Sequence, residues 1–204
     1  MDLDGMYQVI ERACLEEERS GALARFVSER APRLHHAIKL ETHSTRQLMV
    51  FASAYIRKLP VLVSEAWTYA ESDACHWLKH ALLTAQRIIK GRSHCVGMRT
   101  LLMRAYVSHR LLEEVNDRCI QQVGRSLLSL DMTRANLVAY ELLGAACANH
   151  LDASVRVLAA QLEEGLLEAW PLQDEHTNVR QLEALRLRGC LSREAGVRFR
   201  WRMA

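Results

Sequence analysis

The apolar positions of this chain recur at helical spacing along most of its length, and the clearest run lies between Ser44 and Lys90. Leu48, Phe51, Ala52, Tyr55, Leu59 and Leu62 follow one another at steps of one to four and draw a stripe that needs a partner surface. Val63, Ala70, Ala74, Trp77, Ala81, Ala85 and Ile88 repeat the pattern. Ser44 stands three residues before Gln47, as a capping box requires. Pro60, with no N–H and a ring that clashes with the preceding turn, marks a kink or a join. The spacing therefore predicts two long helices, or one kinked rod, over 44–90.

The rest of the chain reads the same way. Residues 6–30 predict a first helix through Met6, Val9, Ile10, Ala13, Leu23, Phe26 and Val27, with Glu16 to Glu18 as a solvated acidic patch and Gly21 as an interruption. Pro32 punctuates the chain, and Arg33 to Leu40 predicts a short helical turn. After the break between Gly91 and Gly97, Met98 to Leu130 predicts a long helix through Leu101, Ala105, Leu112, Val115, Cys119, Val123 and Leu127. Asp131 is the expected N-cap of a further helix, running through Leu137, Leu142, Ala145, Ala146 and Ala153 towards Trp170, with Pro171 ending it. The small residues Gly144, Ala145, Ala146 and Ala148 suit a close helix crossing. Residues 178–187 predict a last short helix. No β-alternation of any length is present, so the expected fold is all-α, a single-domain bundle of five to eight helices over 1–187 with an Arg-rich tail over 188–204.

Composition narrows this picture. Half of the 204 residues are apolar and a quarter are charged, which is the balance of a folded domain. The net charge is only +3, yet residues 180–204 hold seven Arg against two Glu, leaving the remainder slightly acidic. Arg198, Arg200 and Arg202 alternate with Phe199 and Trp201, a pattern able to contact phosphates and bases. Without a recognisable reading helix, packing on an acidic protein surface or on the chain's own first helix at Glu16 to Glu18 is the stronger expectation, and nucleic acid is disfavoured as a partner. The six cysteines show no close pairing and the opening MDLDG has no signal-peptide character, so reduced thiols in a cytoplasmic protein are expected. No stretch has the length and apolarity of a membrane span.

Candidate chemistry rests on nine histidines. Asp73, His76 and His80 share one side of a helix, but they point away from its apolar stripe, together with Arg87, which makes them a solvated face. His109, Glu113 and Asn116 border or enter the core face of the long helix, where polar groups must be paired. Glu113 lies one turn from His109 and is placed to accept its hydrogen bond or to share a ligand with it. Glu113 and Asn116 are the candidate catalytic residues, with a purely structural hydrogen-bonded cluster as the alternative. His94 beside Cys95, His150 after Asn149, and His176 between acidic residues and a helix start complete the set. The chain carries no P-loop, dinucleotide fingerprint, zinc-protease motif, nucleophile elbow or zinc-finger spacing.

Two stretches carry a resemblance. RLHHAIKLETHSTRQLMVFASAYIRKLPVLVSEAW, over 33–67, together with AYELLGAACANHLDASVRVLAAQLEEG and DEHTNVRQLEAL, within 139–185, is similar to the haem-oxygenase-like helical superfamily. That superfamily includes haem oxygenases, relatives of thiaminase II and of pyrroloquinoline-quinone synthase, and iron-containing oxidases. The resemblance implies His35, after Leu34, as a haem ligand, Gly144 as the remnant of a glycine-rich distal helix, and His176 as the histidine of a closing helix. The chain departs from the pattern around Gln86 to His94, which lacks an aligned carboxylate, and at Asn149 and His150, where a glutamate belongs. The implied function is an iron- or haem-dependent oxidoreductase acting on a small molecule, with His36, His109, His150 and His176 as metal ligands and His35 and Gly144 at the cofactor. The alternative is a non-catalytic protein-interaction or regulatory module, a homodimer being among the expected assemblies.

Overall fold

The computed structural model describes residues 2–37, 45–70, 76–91, 96–124 and 132–163, together with 126 and 128. Among these residues the protein is entirely helical: α1 (Leu3–Ser20), α2 (Ala22–Ala37), α3 (Thr45–Ala70), α4 (His76–Lys90), α5 (Met98–Val123), α6 (Thr133–Leu143) and α7 (Ala145–Glu163). One hydrophobic core draws side chains from all seven. No described helix is long and apolar enough to cross a membrane.

Local chemistry sets the ends of the first two helices. Asp2 caps α1 by accepting from the Gly5 N–H at 2.8 Å. Gly21, at φ 56°, takes the left-handed conformation that stops α1, and its N–H bonds the Glu17 carbonyl at 2.8 Å. The Glu17 carboxylate then turns onto α2 and accepts from the N–H groups of Leu23 (2.8 Å) and Ala24 (3.0 Å). One member of the expected acidic patch is thus a helix cap, not a freely solvated charge.

Neither proline breaks its helix. Pro32 lies inside α2 and Pro60 inside α3. At Pro32 the N–H that is missing would have served the Ser28 carbonyl, and both residues are exposed, so water can take its place. At Pro60 the deprived carbonyl is that of Ile56, and both residues are buried. The α3 ladder is therefore weakest in the middle of the core.

The centre of the bundle is α5. It packs against every other helix, most extensively α4 and α7. Accordingly it is apolar around most of its circumference, with Leu101, Leu102, Ala105, Leu111, Leu112, Val115 and Cys119 all buried. It stops at Val123, ahead of Gly124, short of the expected Leu130. The largest departure from the sequence expectation follows. The helix expected from Asp131 to Trp170 is cut at Gly144, whose φ of 84° and ψ of 144° suit glycine alone. The cut resets the phase after it: Ala145, Ala146 and Ala153 face out, while Cys147, Ala148, Leu151, Val155, Ala159 and Leu162 are buried; ahead of it Leu137 lies off the buried face of α6, which is Asn136, Ala139, Leu142 and Leu143. The expectation of six reduced thiols is corrected at Cys119, which is disulfide-bonded, since spacing along the chain does not report pairing through space. Cys14 and Cys147 form no disulfide.

Candidate functional site

Two adjacent turns of α5 carry His109 and Glu113, the two candidates nearest the middle of the bundle. His109 comes first and is 1% exposed. Its Nε2 lies 3.0 Å from the backbone carbonyl of Tyr55 on α3. A carbonyl only accepts, so Nε2 carries the proton and Nδ1 is left as a bare lone pair. That Nδ1 is buried and has no hydrogen-bond partner. The Tyr55 ring lies against the imidazole, with centroids 4.4 Å apart. Burial pushes the imidazole pKa down to about 4; the Tyr55 carbonyl opposes the shift and Lys58 adds to it. His109 is therefore neutral at physiological pH.

One turn on, the arrangement is the opposite. The Tyr55 hydroxyl donates to Asn136 Oδ1 on α6 at 2.7 Å, and Asn136 Nδ2 donates to Glu113 Oε2 at 2.8 Å. Thr133 Oγ1 donates to the other Glu113 oxygen at 3.0 Å. Arg110 forms an ion pair with Glu113 and reaches Asp152 Oδ1 on α7 with its Nε at 3.3 Å. Tyr106 donates to the same Asp152 oxygen at 3.0 Å. This chain of bonds ties α3, α5, α6 and α7 together. Burial would lower the Arg110 pKa, but the Glu113 and Asp152 carboxylates outweigh it and hold the guanidinium charged. Burial pushes the Tyr55 hydroxyl up, and burial with Asp152 does the same at Tyr106, so both phenols remain donors.

The candidate residues fall into three groups. Glu113 and His109 do not meet: the carboxylate takes Arg110, Thr133 and Asn136, while the imidazole takes the Tyr55 carbonyl. Asn116 works at the end of α5, where its Oδ1 accepts from the Leu128 N–H and the Ser126 hydroxyl, both at 3.1 Å, and holds down the chain that leaves the helix. Gly144 makes the corner between α6 and α7 beside the guanidinium of Arg30. His150 lies on α7 with its Nε2 buried and unpartnered. His35 and His36 belong to the last turn of α2, with side chains outside the described residues, and His176 lies wholly outside them. Among the described residues no three His, Cys, Asp or Glu side chains are grouped to hold an ion, so the donor set the resemblance implies is not assembled there.

Tyr55, Tyr106, Arg110, Asn136 and Asp152 escaped the sequence reading. Tyr55 counted only as an apolar stripe position, although a buried phenol needs a partner for its hydroxyl. Arg110 stands three residues before Glu113, the spacing of a helical ion pair, and Asn136 sits inside the otherwise apolar TRANLVAYELL. Those were the available signals. No protein-family model, curated protein or solved structure matches the chain.

Proposed function

We propose that this chain is a non-catalytic helical module that binds a protein partner or regulates one, and that its buried polar cluster serves architecture. The observation that carries this reading is the closure of the cluster on itself. Both oxygens of Glu113 are occupied, Asp152 is shared by Arg110 and Tyr106, and Asn136 uses its oxygen and its nitrogen. A general base or a metal ligand turns a lone pair to a substrate, whereas both Glu113 oxygens and Asp152 Oδ1 accept from neighbouring side chains of the bundle. Val50, Leu137 and Val157 are exposed on α3, α6 and α7 and supply apolar surface for a partner.

The haem-oxygenase-like arrangement remains the proposed topology of the bundle. The iron- or haem-dependent oxidoreductase it implies is the competing function, resting on His35, His36 and His176. Metal analysis and an absorption spectrum of the purified protein, before and after offering haem and ferrous iron, separate the two. The module reading expects neither a Soret band nor near-stoichiometric iron. A Soret band that disappears in His35→Ala, or iron bound near one per chain, would replace it with the oxidoreductase.

A further inference from the structure

We propose that the contact between His109 and Tyr55 is an acid-sensitive latch joining α3 to α5, which opens when Nδ1 of the imidazole takes a proton. Nε2–H is already committed to the Tyr55 carbonyl, so a second proton must go on Nδ1. There it creates a buried N–H with nothing to accept it and places a charge in a buried contact against the Tyr55 ring. A buried, unpaired charge costs several kcal/mol, and the protein can avoid it only by refusing the proton or by admitting water.

The surroundings give the imidazolium no help. Lys58 of α3 is the charged side chain felt at the ring, and it repels a cation. Glu113 and Arg110 of α5 and Asp152 of α7 act on the Tyr55 hydroxyl, with the uncharged Asn136 of α6 interposed. From α4 the neighbouring contact is neutral, the Ala85 carbonyl accepting from Ser108 at 3.3 Å. Opening is easiest on the α3 side, because Pro60 withholds the N–H that the Ile56 carbonyl would use, next to Tyr55. Opening there also gives up the hydrogen bond from Tyr55 to Asn136, while Glu113, Arg110 and Asp152 stay bonded between α5, α6 and α7.

With a ring that titrates at about 4 when closed and 6.5 when open, the opening equilibrium rises ~20-fold from pH 7 to pH 5. Hydrogen exchange of the full chain, corrected for intrinsic rates, reads this directly. Amides in the middle of α3 and of α5 should lose protection ~20-fold over that interval while those of α1 and α2 that exchange by local fraying keep theirs, and His109→Gln should abolish the difference. If the glutamine variant does not fold, His109→Leu, which sets apolar surface against Tyr55, is read in the same way. Unchanged α3 and α5 protection in the wild-type protein, or an equal loss in the variants, overturns the latch. So does an NMR titration in which wild-type His109 protonates while that protection is intact.

Discussion

His109 and Glu113 lie one turn apart on the same central helix, and their polar atoms meet opposite fates. Glu113 is a charge with every partner supplied: Arg110, Thr133 and Asn136 surround it, and its side chain keeps 16% exposure. His109 is neutral, dry and half satisfied, with one ring nitrogen bonded and the other facing nothing. A charge survives inside a bundle when counter-charge and hydrogen bonds are brought to it. A titratable group without them survives by giving up its charge, and it becomes the weak point when the pH forces the charge back.

The comparison breaks most sharply at Asn136, which is bonded to both Tyr55 and Glu113. Asn136→Leu strands a buried phenol and one bond of a carboxylate, and chemical denaturation should report a loss of about 3 kcal/mol. Adding Tyr55→Phe to that variant should cost almost nothing more, since the partner is already gone. If the two losses add in full, the cluster is not one network.

At His109 the effect should depend on pH. The folded pKa of about 4 lies below the ordinary 6.5, so the unfolded chain takes up the proton first. Stability is therefore full above about pH 6.5, falls as the pH drops, and levels off below about 4. The wild-type protein should lose roughly 2 kcal/mol between pH 7 and pH 5 from this group alone. His109→Leu should remove that slope while costing about 1 kcal/mol or less at pH 7. Denaturation curves at the two pH values check both numbers, and an unchanged slope in the variant would assign the acid sensitivity elsewhere.

Smaller changes sharpen the contrast from outside. Gly144→Ala forces a side chain into a glycine conformation and against Arg30, and should cost about 1 kcal/mol, read as a lowered denaturation midpoint. Glu114 is next to Glu113 in the chain, but its ion pair with Arg118, at 3.1 Å, is the ordinary i,i+4 kind with both side chains a quarter or more exposed. Glu114→Gln should change stability by less than ~0.5 kcal/mol. A large effect there would mean that position on α5, and not burial, decides what a carboxylate is worth.

Much of the fold was legible because burial follows the helical period. Leu48, Ala52, Tyr55, Leu59 and Leu62, and Leu101, Ala105, Leu112, Val115 and Cys119, are buried as their spacing predicts. The reading failed where one residue changed the phase. Gly144 turned a single long helix into two, and with it Ala145, Ala146 and Ala153 went to the surface, while Leu137 lies off the buried face of α6. The candidate site was legible only in part. That Glu113, Asn116 and His109 enter the core follows from their phase on α5, but a helical phase says nothing about what stands opposite.

The sequence by itself determined that the chain is helical, where its main apolar stripes run, and which polar residues intrude on them. These are consequences of backbone geometry and of spacing along one helix. The tertiary structure decided that α5, rather than the 44–90 segment, is the centre, that Glu113 pairs with Arg110 and Asn136 instead of His109, and that His109 spends its proton on the Tyr55 carbonyl. Most of those partners come from helices distant in sequence, and in a packed core the polar groups take the partners that packing brings to them.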